Sequence, residues 1–208
     1  IGYIQPEDFN EDGSYKYAAQ YGSIAAGDIM YKDNNEDGVI NTSDQEVLGG
    51  TIPRLTYGLT LSGEYKGFDL NVLLQGVGKA NGYIFGQGIQ PFYQGGTVQE
   101  QHKDYWTESN RNAKFPRLAF NEPNNVQHSS FWMKNASYMR LKNIQLGYSL
   151  PKSTLSKFHI SNLRFYISGD NLLTFDNFWK GYDVEAPVGN GSFYPHVKTI
   201  SFGVDFRF

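Results

Sequence analysis

The residues best placed by type and spacing to do chemistry are the twelve at 33–44: Asp33-Asn34-Asn35-Glu36-Asp37-Gly38-Val39-Ile40-Asn41-Thr42-Ser43-Asp44. Asp33, Asn35, Asp37 and Asp44 set side-chain oxygens at loop positions 1, 3, 5 and 12. Gly38 stands at 6, where the chain turns sharply, and the carbonyl of Val39 falls at 7. A hard cation needs oxygens at such intervals, so the segment reads as an EF-hand-type calcium loop with Asp33, Asn35, Asp37, Val39 and Asp44 as ligands. Ile40 is the apolar anchor at position 8. Asp44 replaces the commoner bidentate Glu, which lowers the expected affinity. Ligand count alone favours calcium over another hard cation. The competing reading is an Asx-rich turn cluster. Asp8-Phe9-Asn10-Glu11-Asp12-Gly13 repeats the first half, but Tyr15 and Ala19 occupy its positions 8 and 12, so a plain turn is expected there.

Other chemistry finds little support. Cysteine is absent, which removes disulfides, thiol catalysis and cysteine-based zinc sites. His102, His128, His159 and His196 lack metal-ligand spacing and read as ordinary surface histidines. No carboxylate pair on adjacent strand ends suggests a glycosidase, and no serine has nucleophile-elbow context. Gly76-Val77-Gly78 and Gly95-Gly96 do not lie between a strand and a helix start, so they are turns. The expectation is therefore a protein that is not an enzyme. A net charge of −3 supplies no basic field for nucleic acid.

The elements that would carry the loop are strands. In 208 residues there are 15 Tyr, 15 Phe and 23 Gly, a mix that suits amphipathic strands and turns. The terminal segment shows the pattern most clearly. Ile200, Phe202, Val204, Phe206 and Phe208 share one face; Thr199, Ser201, Gly203, Asp205 and Arg207 share the other. Leu55 to Tyr65 and Phe68 to Gly76 alternate likewise around a tight turn at Lys66-Gly67, making a hairpin of strands of about 10 residues, the length a tilted strand needs to cross a bilayer. A third strand covers 138–150, with a bulge expected at Asn143 where the apolar phase flips. A fourth starts near Leu163. Long polar, aromatic loops at 77–135 and 176–194 alternate with short turns, as in outer-membrane barrels.

Mean hydropathy is −0.50 and no apolar run reaches the roughly 20 residues of a membrane helix, but barrel strands do not show in hydropathy. Five strands cannot close a barrel, since the smallest have about eight, and an open edge in lipid is not viable. The chain therefore reads as part of a longer protein. Its fold class is all-β, an antiparallel transmembrane barrel segment, with an irregular region at 1–53 and barrel strands with their loops at 54–208. The alternative is a soluble, calcium-dependent, carbohydrate-binding β-sandwich that buries 55–65 against 200–208. Two calcium-like loops also raise a dockerin, but Gly49-Gly50-Thr51-Ile52-Pro53 stops any helix that would follow the second loop.

In order along the chain, Gly27-Asp28-Ile29-Met30-Tyr31-Lys32 with the calcium loop, Pro53-Arg54-Leu55-Thr56-Tyr57-Gly58, Tyr65-Lys66-Gly67-Phe68-Asp69-Leu70, Tyr138 to Tyr148, Gly169-Asp170-Asn171-Leu172-Leu173-Thr174-Phe175, Gly181-Tyr182-Asp183-Val184-Glu185 and the terminal strand resemble the carboxy-terminal part of SusC/RagA-family TonB-linked outer-membrane transporters. The resemblance implies a plugged barrel of the 22-stranded type that imports oligosaccharides or peptides under a SusD-like surface lipoprotein lid. It implies a plug and a TonB box far upstream, through which the TonB complex would act. It also implies outer-membrane lipid around the strands and extracellular placement of 77–135, 176–194 and the calcium loop. Phe208 would then be the barrel-assembly signal. Among the loop aromatics, Trp106, Trp179 and Tyr182 are the first choices for ligand or partner contact, against a bland reading of aromatic belt and loop packing.

Overall fold

The computed structural model describes residues 2–120 and 122–208, and they form two compact units. One takes the chain as far as Gly49 together with Tyr83–Lys134 and Val188–Ser192. The other takes Gly50–Gly82, Asn135–Pro187 and Phe193–Phe208. This differs from a single boundary at 53/54, because most of the long loop 77–135 joins the amino-terminal region. The cause is burial. Within that unit Ile4, Ile29, Ile84, Ile89, Trp106, Phe115 and Trp132 form a core. A segment this rich in aromatics cannot leave them, or its backbone amides, in the open.

The first unit has little regular structure. Gly2–Tyr3 pairs with Ile29–Met30, and Tyr83–Ile84 runs parallel to Val188–Gly189. Polar side chains supply the missing ladder. Asn124 Nδ2 donates to the Ile29 carbonyl (2.7 Å), and Asn125 Oδ1 accepts from the Ile29 amide (2.8 Å). Asp28 has no exposed surface; it takes Asn125 Nδ2 at 2.7 Å, the Ala25 amide at 2.8 Å and Arg117 Nη2 at 2.8 Å. Such a carboxylate must be paired, since burying a bare charge is prohibitive.

The second unit is built on one antiparallel sheet. Its strands are β1 (Leu55–Tyr65), β2 (Phe68–Gly78), β3 (Tyr138–Ser149), β4 (Asn162–Asp176) and β5 (Thr199–Arg207). They lie in the order β1, β2, β3, β4, β5, each beside its sequence neighbour. Lys66 (φ 48°) and Gly67 (φ 87°) form the left-handed two-residue turn that matches strand twist. A Cβ at Gly67 would collide with the Ser149 carbonyl. The expected all-β antiparallel architecture and its five strands are present. The sandwich alternative is overturned: β1 and β5 are opposite ends of one sheet, so their faces cannot pack on each other.

The phase flip is also where the sequence placed it. Leu73 pairs with Asn143 but Leu74 with Leu141, so Lys142 is an extra residue against β2. On the other side Asn171 and Leu172 stand opposite Lys142, and Asn171 takes a left-handed φ of 52°. The bulge returns Met139 and Leu141 to the face of Ile144 and Leu146.

Candidate functional site

Cross-strand partners share a face, and the register assembles two surfaces of opposite chemistry. One row runs Leu61, Val72, Ile144, Gly169, Ile200; the next runs Gly63, Leu70, Leu146, Ile167, Phe202; the next runs Tyr65, Phe68, Tyr148, Phe165, Val204. This apolar surface is open. Leu61 is 53% exposed, Phe165 48% and Phe202 80%. Scattered exposed apolar residues are ordinary, but a contiguous sheet face of them marks contact with something apolar. No helix among the described residues is long and apolar enough to cross a membrane, which says nothing of strands.

The opposite surface carries Asn71, Gln145, Ser168 and Ser201 in one row and Asp69, Gly147, Tyr166 and Gly203 in the next. Arg164 ties two strands across it, with Nε donating to Asp69 Oδ2 (2.8 Å) and Nη2 to Gln145 Oε1 (3.0 Å). Gly147 is needed beneath that pair and Gly203 beneath the Tyr166 ring, since a Cβ at either would collide with those side chains. Farther along, Arg140 is buried with Asp183 at 2.7 Å, Glu185 at 2.8 Å and Thr174 Oγ1 at 2.9 Å. His196 Nε2 lies 3.1 Å from Glu185. Burial pushes the Asp183 carboxyl up, but the hydrogen bond from Arg140 and the amides of Glu185 and His196 outweigh it and hold the group below its usual range.

In the loop 33–44, Asp33 accepts from the amides of Asp37 (3.2 Å) and Gly38 (2.7 Å). Asp37 Oδ1 accepts from the Val39 amide at 2.9 Å. Asp44 accepts from the amides of Asn34 and Asn41, both at 2.8 Å. Gly38 (φ 85°) makes the sharp turn and Ile40 is buried as the anchor, its amide donating to the Ala19 carbonyl (2.9 Å). The Asn41 amide, offset by desolvation and helped by Asn34, Asn35 and Asp33, holds the Asp44 carboxyl below its usual range. The donors are all hard oxygens, which is the chemistry calcium takes. Among the described residues no three His, Cys, Asp or Glu side chains are gathered at ligating distance of one point. Asn35 Nδ2 donates to Asp37 Oδ2 at 2.8 Å, so an ion would have to displace that contact. The half-loop at 8–13 is a plain hairpin turn: Phe9 bridges Tyr15, and Asp12 Oδ1 takes the Ser14 amide and hydroxyl.

The chosen aromatics separate. Trp106 is buried at 6% exposure over Gly27, where a Cβ would collide with its ring, so it packs within its unit rather than facing solvent. Trp179 is buried, and Tyr182 is half-buried, its amide donating to the Trp179 carbonyl (3.2 Å). Phe208 stands free at 93% exposure, edge-on to Phe206. His102 departs from the surface reading. It is 1% exposed, Nδ1 accepts from the Gln99 amide (2.9 Å) and Nε2 lies 2.9 Å from the Ile89 carbonyl. Burial lowers its pKa. Its isolated position in the sequence offered no periodic signal of burial.

No protein-family model matches the chain. It is 31% identical over 202 residues to TonB-dependent receptor P3 of Formosa agariphila, covering 90% of this chain and 20% of that protein. It is 25% identical over 181 residues to TonB-dependent receptor SusC of Bacteroides thetaiotaomicron, covering 86% of this chain and 17% of that one. The chain thus spans about a fifth of the length of the curated relatives it matches. Its fold is similar to the RagAB peptide importer in the closed-closed state, with TM-score 0.65, 22% identity, and all of this chain matched to 22% of the other. The open-open state gives TM-score 0.64 at 24% identity, over 92% of this chain and 20% of the other.

Proposed function

Starting from homology with SusC- and RagA-type TonB-dependent receptors over most of the chain, we propose that it forms the carboxy-terminal barrel segment of a nutrient importer in a bacterial outer membrane. The observation that carries this is the two-faced sheet. Its open apolar rows suit lipid, and its polar rows with the Arg164–Asp69 pair suit a wet lumen. The ends β1 and β5 have free hydrogen-bonding edges, which lipid does not tolerate, so further strands of the same transporter would pair with them. Residues to Gly49, 83–134 and 188–192 come together as one unit, as segments on the same, extracellular side would. The cargo would be an oligosaccharide or a peptide. A SusD-like lipoprotein would close the outer face and the TonB complex would supply energy through upstream parts. Loop 33–44 would hold calcium through Asp33, Asn35, Asp37, Val39 and Asp44, outside the cell where weak sites fill. Phe208 would be read by the assembly machinery. Trp179 and Tyr182 remain candidates for ligand or partner contact.

The absence of cysteine from this segment allows a direct test. Single nitroxide labels at Leu59, Leu61 and Val204 in the reconstituted receptor should show high oxygen and low nickel-chelate accessibility. Labels at Thr60, Ser62 and Asp205 should show the reverse; equal profiles on both faces would sink the reading. For the metal, Asp33→Ala with Asp37→Ala should remove one equivalent of calcium by elemental analysis, and unchanged content would count against the site.

A further inference from the structure

The polar surface of the sheet meets solvent at Asn71 and Ser201 but is covered at one end. Arg140 stands opposite Gln75, which shares its face of β2 with Asn71 and Asp69, so Arg140 belongs to the polar surface. Tyr138 and Arg140 are 7% and 4% exposed, whereas Met139 between them, on the apolar surface, is 38% exposed. The cover is the segment at 177–187 that follows β4. Asp183 and Glu185 reach from it to Arg140, at 2.7 and 2.8 Å, and Lys142 Nζ donates to Glu185 Oε1 at 3.1 Å. The Arg140 guanidinium lies 5.7 Å from the centre of the Tyr138 ring. The apolar side chains of the segment pack as well. Phe178, Trp179 and Val184 are buried, and a Cβ at Gly82 would collide with Phe178 and Pro187. The segment is therefore seated on the polar surface rather than extended away from the strand ends.

The hold is directional. A planar guanidinium that meets two carboxylates, with its Nε donating to Thr174 Oγ1 at 2.9 Å, fixes where 183–185 can sit. The His196 amide donates to Asp183 Oδ2 (2.8 Å), which ties the chain returning to β5 to the same point. Without Arg140, Asp183 would be left to backbone amides, and Glu185 to the less buried Lys142 and His196. Buried carboxylates stripped of the cation between them draw in water, and that lifts the segment from its seat.

A segment on the polar surface occupies the space that this surface lines. We propose that 177–187 is an inward-folded strap that narrows the mouth of the passage, and that Arg140 is the positioning residue that holds it there. The strap thereby sets an upper size for what passes. Its tip, Lys180 and Gly181, is exposed, and Gly181 takes a left-handed φ of 88°, so this is the part that faces the open lumen. The inference rests on the proposal that the polar surface lines a lumen; on any other kind of sheet the strap would narrow nothing.

The experiment uses the intact receptor in bilayers, with one thiol introduced by Asn71→Cys on the polar surface beyond the strap. Two water-soluble maleimides probe it, one small and one carrying a polyethylene glycol of several kilodaltons. In this parent the small reagent should react and the large one should lag. Arg140→Met should speed the large reagent about tenfold, as a minor open position becomes the major one, and the small one less than about twofold. Arg140→Lys keeps the charge but not the planar fork, and should recover part of the difference. Asp183→Asn with Glu185→Gln leaves β3 untouched and should act as Arg140→Met does, so it carries the test if Arg140→Met does not fold. A nitroxide pair at Lys180 and Ser201, read by pulsed electron resonance, should lengthen and broaden in these variants, while a pair at Asn71 and Ser201, both on the sheet, should not change. If neither the large-reagent rate nor the Lys180 distance moves, the strap is overturned and the lumenal reading stands; either change without the other overturns it too. A label at Asn71 with the high oxygen and low nickel-chelate accessibility of lipid overturns the lumenal reading, and the strap with it.

Discussion

The two units solve the problem of exposed surface in opposite ways. The first has almost no regular strands, yet it buries its tryptophans, its one 1%-exposed histidine and a whole carboxylate-centred network. The second has five long strands, yet its apolar side chains stay open on one face. A unit that folds for water must turn its aromatics inward and satisfy its loops with side chains. A sheet that meets lipid, as proposed for this one, can leave apolar residues outside, because the surroundings are as apolar as a core. High aromatic content therefore carries different meanings in two parts of the same chain.

The comparison breaks most visibly at Asp28. Asp28→Ala would leave Asn125 Nδ2 and the Ala25 amide without their acceptor and Arg117 with Glu122 alone, and should cost the first unit about 3–5 kcal/mol. Hydrogen exchange in the intact receptor should show amides at 25–29 and 117–126 opening, with β1 to β5 unchanged; uniform exchange across both units would contradict the division. Next in size is a charge on the open face. Leu61→Arg should cost about 2–4 kcal/mol in lipid, while Thr60→Arg, one residue away, should cost about 0.5 kcal/mol or less, as read by urea unfolding in bilayers. Similar costs for the two would remove the case for lipid.

In the first unit a pH effect should centre on His102. The folded pKa of His102 lies below its unfolded value, so its contribution is complete above about pH 6.5 and is lost as pH falls through that value. Protection of the Gln99–His102 turn should weaken between pH 7.5 and 5.5, and His102→Gln should flatten the profile. The smallest effect is expected at the half-loop: Asp12→Ala removes only exposed turn hydrogen bonds and should change stability by about 0.5 kcal/mol, with no change in calcium content. A loss of calcium there would make the first loop a second metal site.

The sequence alone determined the sheet. Alternation of period two assigned β1 to β5, Lys66-Gly67 announced its turn, and the phase slip before Asn143 announced the bulge, because each is a local consequence of which face a side chain must take. It also determined the oxygen spacing of loop 33–44, since a turn of twelve residues carries its own geometry. Only the tertiary structure decided which long loop segments fold with residues to Gly49, that Trp106 lies over Gly27 in a core, and that His102 is buried between Gln99 and Ile89. It alone brought Tyr83 and His128 beside the residues of loop 33–44. Irregular segments have no period to read, and their burial is set by contacts between residues about a hundred positions apart, such as Asp28 with Asn125.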